Sequence, residues 1–253
     1  MSYTDTDYDA EFYANLYNRV VSSADAIVPI VLSHFPASSV VDIGCGDGAW
    51  LRAFAKYGLR DFLGIDGAYV PLDMLNIPRQ NFRDADLTEL TSVGRRFDLA
   101  CSLEVAEHLP EQCAAQFVKL LSDAAPVVIF SAAIPRQGGN RHINEQWQSY
   151  WMDLFAARGY RAFDCVRPLV YENPSVEWWY RQNLIIYCDE AHHPNGIAPI
   201  AGPFEANRVD PDMLAALYRQ IDELTPDSIR SSITMIKRDV TSLRHSLLRR
   251  LMP

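Results

Sequence analysis

The residues best suited to chemistry lie in one short segment and at one later histidine. Residues 102–110 read S-L-E-V-A-E-H-L-P, which brings two carboxylates and an imidazole close together. If the chain turns helically there, Glu104, Glu107 and His108 share one face at spacings i, i+3 and i+4. Carboxylates combined with imidazoles suit a divalent cation such as Mg²⁺ or Mn²⁺. We therefore predict a metal site formed by Glu104, Glu107, His108 and His142.

Two interpretations of this cluster stay open. A bound cation would stabilise the alkoxide that develops when a hydroxyl, a very weak acid, acts as a nucleophile. His142, His108 and Glu107 are the candidate catalytic residues, and His142 fits either a metal ligand or a general base that takes the proton. Without a metal, a histidine alone would serve as the base and the carboxylates would have ordinary roles beside it.

A strand, a glycine turn and a helix precede the cluster and must help to position it. Residues 39–43 form a short apolar run typical of a buried strand, and residues 49–55 indicate a helix. Gly44 and Gly46 can themselves adopt positive φ, and they let the backbone approach a ligand closely. The D-x-G-x-G-x-G spacing that starts at Asp42 differs from the G-x-G-x-x-G pattern of NAD-binding domains. The two alternative interpretations of this segment are a NAD-type domain and an α/β core that binds no ligand here.

Further strands bring the polar residues to one edge of the predicted sheet. Residues 62–65 lead into Asp66, an acid placed where it can hold a ribose diol. Residues 97–103 and 127–131 predict two more strands, the second of them central. Open α/β sheets bind ligands at the carboxyl ends of their strands. Because the acidic cluster follows one strand and His142 follows the next, we expect both at that edge.

Taken in order, these motifs resemble those of class I S-adenosylmethionine (SAM) dependent methyltransferases over residues 40–187. The resemblance implies an α/β, Rossmann-like fold with a mostly parallel seven-stranded sheet, an antiparallel last strand and added C-terminal helices. It also implies SAM as cofactor, bound by Asp42, Gly44, Cys45, Gly46, Asp66, Gly67, Asp86, Leu87 and Ser102. In that assignment Asp42 positions the methionine part, Asp66 the ribose, and Asp86 with Leu87 the adenine. A loop or helix cap is the alternative role for Asp86.

The metal prediction has its own resemblance. An E-x-x-E-H segment with a later His is similar to the metal site of the small-RNA 3′-end 2′-O-methyltransferases, although many methyltransferases carry E-x-x-E-H there without a recognised metal. An RNA 3′-end 2′-O-methyltransferase is therefore one alternative function. The net charge of −9 and the absence of a Lys/Arg stripe disfavour it, and we expect no nucleic-acid partner.

Two later segments combine aromatic rings with amides, as a sugar site needs. They span residues 141–151 and 178–183, in which rings can stack on a sugar face and amides can bind hydroxyls. The predicted substrate contacts are Asn144, Gln146, Trp147, Tyr150, Trp178 and Tyr180. The alternative is that two or three of the five Trp residues are core. These segments, together with S-L-E-V-A-E-H-L-P and with F-S-A-A-I-P-R-Q-G-G at residues 130–139, resemble a group of glycan O-methyltransferases that includes the mannoside 1-O-methyltransferase of methylmannose polysaccharide assembly.

That resemblance implies methyl transfer to a hydroxyl of a sugar or oligosaccharide, such as a mannoside, as part of polysaccharide biosynthesis. Transfer to another small hydroxylated metabolite is a second alternative. A non-catalytic SAM-binding assembly subunit is a third, supported by a C-terminal pattern. Apolar residues from Ile229 to Leu247 alternate four and three apart, which is a short a/d seam. The seam predicts either a homo-oligomer, such as a dimer, through residues 226–253 or a helix packed on its own domain.

The chain organisation follows from these patterns. We expect cap helices over 1–38 in two pieces that meet near Pro29, a methyltransferase core over 39–190, a linker over 191–209 and a helical extension over 210–253. Within the core, residues 111–122 and 145–158 predict helices. Residues 160–166 and 178–187 predict the two closing strands.

The composition of the chain indicates the cellular compartment in which we expect the protein. The chain has 253 residues, 49% of them hydrophobic, and no apolar window long enough to span a membrane. Its N-terminus is polar and acidic and carries no signal-peptide pattern. The five cysteines are scattered without a C-x-x-C pair. Reduced thiols in a cytoplasmic protein are therefore the expectation.

Overall fold

A computed structural model describes residues 10–224, and within them the side chains of residues 19–219 and 221. Seven strands form one sheet in the order β3-β2-β1-β4-β5-β7-β6. The strands are β1 (Ser39–Ile43), β2 (Asp61–Asp66), β3 (Phe82–Asp84), β4 (Leu99–Leu103), β5 (Val127–Ser131), β6 (Arg161–Phe163) and β7 (Ile185–Cys188).

The sheet is parallel from β3 to β5, and β7 then pairs antiparallel with both β5 and β6. Every residue of β1, β4 and β5 is buried, which explains why these strands read as unbroken apolar runs. Successive side chains of β1 alternate between two cores, with Val40 in one and Val41 and Ile43 in the other. The predicted Rossmann-like fold with an antiparallel last strand is confirmed.

Helices cover both faces of the sheet. The first core contains residues of α1 and α2, and the second contains residues of α3 and α4. The helices are α1 (Ala10–His34), α2 (Ala49–Lys56), α3 (Ala114–Ala124), α4 (Gln148–Ala156), α5 (Arg167–Val170), α6 (Trp178–Asn183), α7 (Pro203–Ala206) and α8 (Pro211–Leu224). The chain separates into two compact units, Met1–Asp210 and Pro211–Pro253, and α8 is the described part of the second.

The expected break at Pro29 is wrong, because α1 is continuous through it. Proline has no N–H to donate to the carbonyl four residues earlier, which is that of Asp25. The hydroxyl of Tyr57 in the following segment donates a 3.2 Å hydrogen bond to that carbonyl. A side chain from outside the helix therefore satisfies the acceptor that the proline leaves.

The predicted closing strand over residues 178–187 is also partly wrong. Its first half is helix α6, and only Ile185–Cys188 forms a strand. The other closing strand is confined to Arg161–Phe163, and the helices predicted over 111–122 and 145–158 are observed as α3 and α4 with shifted ends. The α6 helix buries Tyr180 edge-on against Trp50, with ring centroids 5.1 Å apart.

Two further properties of residues 10–224 are the character of the helices and the state of the cysteines. No helix in this range has both the length and the apolar character that crossing a membrane requires. The five cysteines carry free thiols. The predicted a/d seam from Ile229 to Leu247 lies outside the described residues.

Candidate active site

A cavity of about 770 Å³ lies at the carboxyl ends of the parallel strands. Its size is in the range of small-molecule sites, and its position is the one at which open α/β sheets bind ligands. Six of the predicted cofactor residues line it, namely Gly44, Gly46, Asp66, Gly67, Asp86 and Leu87. Asn140, Arg141, Tyr69 and Asp84 also line it and were not predicted.

The glycine loop is folded tightly against β2. The N–H groups of Gly44 and Cys45 both donate to the carbonyl of Ile65, at 2.8 and 3.2 Å. Gly44 has φ +88°, and a Cβ on it would lie 2.3 Å from a methyl of Val105. Gly46 has φ +54° and nothing within 4 Å of its missing Cβ. The loop is therefore closed behind Gly44 and open to the cavity at Gly46.

Asp66, at the end of β2, fixes this loop from the other side. Its Oδ2 accepts a 2.6 Å hydrogen bond from the Gly46 N–H, and its Oδ1 accepts one of 2.7 Å from the Gly67 N–H. The hydroxyl of Tyr69 donates to the same Oδ1. Asp66 is 4% exposed, so its carboxylate forms a buried edge of the cavity.

Asp42, Cys45 and Ser102 lie beneath the cavity instead of lining it. All three are buried, and neither the Asp42 Oδ2 nor the Ser102 Oγ has a hydrogen-bond partner within the described residues. Burial, with the charges of Asp66 and Asp47 next, raises the pKa of Asp42 to about 8. Asp42 therefore lies behind the glycine loop and is not among the residues that line the cavity.

Asp86 shows the capping geometry that was its alternative role. Its Oδ1 accepts from the Thr88 N–H at 2.9 Å and from the Thr88 hydroxyl at 2.7 Å. These bonds lower the pKa of Asp86 and keep it charged. It still lines the cavity beside Leu87, so capping a turn and facing a ligand are compatible here.

The second cluster brings Glu107, His108 and His142 together. One potential ligand atom of each lies within 4.8 Å of those of the other two. A single turn of 3₁₀ helix, Ala106–His108, positions the first two residues. The rings of His108 and His142 meet edge to face with centroids 4.9 Å apart. The prediction that His142 returns to the edge reached by Glu107 and His108 agrees with this geometry.

Glu104 is not part of this triad, and the predicted shared helical face is wrong. Glu104 has a left-handed φ of +55° and precedes the 3₁₀ turn, which begins at Ala106, so it does not share a helix with Glu107 and His108. Its carboxylate accepts hydrogen bonds from the Gln137 side chain at 2.9 Å and the Asn183 side chain at 3.1 Å. Glu104 lines the cofactor cavity with its carboxylate held by amides.

Glu107 is fully buried, and neither of its carboxylate oxygens has a hydrogen bond of normal geometry within the described residues. Burial raises the pKa of Glu107 well above its usual range, and the neighbouring Glu104 raises it further. Desolvation and then the nearby His142 lower the pKa of His108, which keeps that imidazole neutral. A buried carboxyl group without a hydrogen bond of normal geometry, beside the imidazoles of His108 and His142, is a ligand set that suits a divalent cation.

The predicted sugar contacts are not gathered at the cavity. Asn144 and Tyr180 are buried, and the Asn144 oxygen accepts a 3.1 Å hydrogen bond from the Gln146 amide. Trp178 lies on α6 edge-on to Trp179, and Tyr150 packs against Trp151. Trp147 is 41% exposed at the start of α4.

Several site residues escaped the sequence prediction. Gln137 and Asn183, which hold Glu104, stand in the P-R-Q-G-G and W-W-Y-R-Q-N segments that carried the glycan methyltransferase resemblance, so a signal existed. Tyr69 had no such signal, because its contact with Asp66 depends on how the loop after β2 folds back.

The sheet order, the glycine loop after β1 and the acid at the end of β2 define a class I SAM-dependent methyltransferase domain. Residues 13–165 match the family described as "Methyltransferase domain". The chain belongs to this family. The cavity fits SAM, since Gly46 leaves it open and the carboxylates of Asp66, Asp86 and Glu104 suit a sulfonium ligand that also carries an ammonium group.

Two curated relatives of this chain are also methyltransferases. The chain is 30% identical over 89 residues to a ubiquinone biosynthesis O-methyltransferase of Bartonella tribocorum, which is 33% of this chain and 36% of that protein. It is 30% identical over 114 residues to the same-named protein of Cereibacter sphaeroides, 43% of this chain and 42% of that one. The matched part is thus less than half of either curated relative.

A solved structure shows the same fold. The sugar N-methyltransferase KedS8 from Streptoalloteichus sp. ATCC 53650 superposes with a TM-score of 0.54 at 15% identity. The match covers 75% of this chain and 98% of that one.

Proposed function

We propose that this chain transfers the methyl group of SAM to a hydroxyl of a sugar or oligosaccharide, with Glu107, His108 and His142 holding a divalent cation at the acceptor. The observation that carries the proposal is the buried Glu107 carboxylate, which has no normal hydrogen bond and stands in ligand range of two imidazoles. His108 also lines the cofactor cavity, so the cluster adjoins the place of the methyl group.

Methyl transfer to a hydroxyl requires that the methyl group and the acceptor oxygen are positioned and that the hydroxyl proton is removed. Methyl transfer from a sulfonium is an in-line displacement, which the protein favours by holding methyl and oxygen close and aligned. A cation such as Mg²⁺ or Mn²⁺, when bound, would stabilise the developing alkoxide. Glu107, His108 and His142 would hold the cation, and His142 or His108 is the alternative base if none is held.

Support for a hydroxyl acceptor and support for a sugar come from different sources. The two curated relatives are named O-methyltransferases. The sugar comes from the sequence resemblance to glycan O-methyltransferases and from Trp147, which is exposed at the start of α4. The acidic residues that line the cavity outnumber its basic ones, which disfavours RNA as an acceptor because phosphates seek cations.

Labelled SAM tests the proposal directly. We would offer mannosides, rhamnosides, a catechol and an RNA 3′ end as acceptors, each with and without EDTA. We expect transfer to a glycoside that stops with EDTA and resumes on adding Mg²⁺ or Mn²⁺. Glu107→Ala should lower transfer far more than SAM affinity, because Glu107 acts on the acceptor side.

Each other outcome has a definite meaning. Transfer to the catechol or to RNA but to no glycoside would replace the sugar by that acceptor. Full activity after exhaustive chelation would remove the cation and leave a histidine base. Absence of transfer to every acceptor with tight SAM binding intact would favour a non-catalytic SAM-binding subunit.

A further inference from the structure

One carboxylate, that of Glu145, holds the loop between β5 and α4. Its Oε2 accepts a 2.7 Å hydrogen bond from the Arg136 N–H, and its Oε1 accepts one of 2.9 Å from the Gly138 N–H. The same Oε1 lies 3.1 Å from Nδ1 of His142. Glu145 and His142 have side chains that are only 20% and 12% exposed. The loop and the histidine therefore share one partly buried anchor.

The contact with Glu145 decides which nitrogen of His142 carries the proton. An ionised carboxylate can only accept hydrogen bonds, and its oxygen already receives one from Gly138. Nδ1 of His142 must therefore be the donor. A neutral imidazole has one N–H, so the lone pair is left on Nε2.

Gly139 lies directly against Nε2 of His142. Gly139 has φ +150°, and a Cβ on it would lie 2.3 Å from both Nε2 and Cε1 of His142. Any other residue at position 139 would displace the ring. One potential ligand atom of His142 also lies within 4.8 Å of those of Glu107 and His108.

We infer that Glu145 is a positioning residue that fixes His142 as the Nδ1–H tautomer, so that Nε2 is free for a cation or for the proton of the acceptor hydroxyl. The inference rests on the proposed function in so far as His142 is used in transfer. Glu145 is not among the residues that line the cofactor cavity, and it would act through its contact with His142. Outer partners of this kind orient the ring and raise the basicity of the nitrogen that binds the ligand.

The test variant is Glu145→Gln, which preserves shape and removes the charge. Its amide can donate to Nδ1 and so permits the opposite tautomer. We expect kcat to fall by roughly 10- to 100-fold, as for other outer-shell partners of histidine, with unchanged SAM affinity. The matched control is Glu205→Gln, since Glu205 also accepts a backbone N–H, at 2.9 Å from Ala201, in a different loop. The control should keep wild-type kcat.

Two readouts separate a tautomer effect from loosening of the loop. The ¹⁵N chemical shifts of the His142 ring, measured without acceptor, should report a protonated Nδ1 in the wild type and a shift toward protonated Nε2 in Glu145→Gln. The double variant Glu145→Gln/His142→Ala should be no less active than His142→Ala alone. An added loss in the double variant would show a structural role and overturn the inference.

The outcomes also distinguish this inference from the proposed function. Full activity of His142→Ala would remove His142 from the proposed function, while the ring shifts would still decide the tautomer. If His142→Ala is inactive and Glu145→Gln keeps both wild-type kcat and the wild-type shifts, the proposed function stands and the role of Glu145 is refuted.

Discussion

The hydroxyl of Tyr69 donates a hydrogen bond to Oδ1 of Asp66, the carboxylate assigned to the ribose of SAM. An ionised carboxylate offers about four lone-pair positions. The N–H groups of Gly46 and Gly67 and the Tyr69 hydroxyl already use three of them. A ribose diol that binds through both hydroxyls needs two positions. Tyr69 must therefore release Asp66 when SAM binds in this way.

Removing that competitor should favour SAM. Tyr69→Phe is expected to tighten SAM binding by up to roughly tenfold, the equivalent of one net hydrogen bond of about 0.5–1.5 kcal/mol. Calorimetric titration with SAM measures it. Tyr57→Phe is the matched control, because Tyr57 donates to the Asp25 carbonyl away from the cavity. Weaker binding by Tyr69→Phe would mean that the hydroxyl contacts the cofactor instead.

The two loop glycines should fail in different ways. Gly44→Ala places a methyl 2.3 Å from the Val105 side chain at φ +88°, so it should lower the melting temperature as well as SAM affinity. Gly46→Ala meets no atom within 4 Å and costs only about 1–2 kcal/mol of backbone strain. It should lose SAM binding with a smaller loss of stability, because its methyl enters the cavity. Equal melting losses in both variants would contradict this distinction.

Asp42 predicts a pH dependence of stability. Burial first, then the charges of Asp66 and Asp47, raises its pKa to about 8 in the folded protein, against about 3.9 unfolded. The folded state therefore holds a proton that the unfolded state has lost, so stability is lost as pH rises from about 4 to about 8. Asp42→Asn should raise the melting temperature of the SAM-free protein relative to wild type, increasingly toward pH 8.

Asp98→Asn provides the control of opposite sign for that experiment. The Ser38 hydroxyl, together with the N–H groups of Ser38 and Ser39, lowers the pKa of Asp98. Its contribution to stability is present above the unfolded pKa and is lost on acidification. The Asp98→Asn variant should be destabilised near neutral pH and approach wild type in acid. Parallel pH profiles for the two variants would refute the assignment for Asp42.

The seam from Ile229 to Leu247 predicts the oligomeric state. Deleting residues 226–253 should lower the number of chains per particle, because an a/d seam pairs helices, and should leave SAM binding intact. Light scattering measures that number, as the molar mass divided by the mass of one chain. An unchanged number of chains after deletion would leave the seam to pack within one chain.

The sequence alone was sufficient for the parts of this protein that local patterns encode. The apolar runs at β1, β4 and β5 are buried strands, because a strand covered on both faces has no polar side. The glycines after Asp42 mark a turn because glycine adopts positive φ readily. Asp66 is recognisable because it ends a predicted strand. Their order along the chain resembles that of class I SAM-dependent methyltransferases, and this resemblance predicted the sheet and SAM as the ligand.

Tertiary structure decided the roles that depend on distant partners. The Glu104 carboxylate is held by the side chain of Asn183, which lies 79 residues later, and Glu104 has a left-handed φ that no helical spacing predicts. Tyr180 became core when residues 178–183 formed a helix against Trp50, although aromatic spacing there also suited a strand. The pKa of Glu107 and the tautomer of His142 depend on burial and on single contacts with other loops. Such contacts have no local pattern, because the chain makes them only after the sheet has brought its strand ends together.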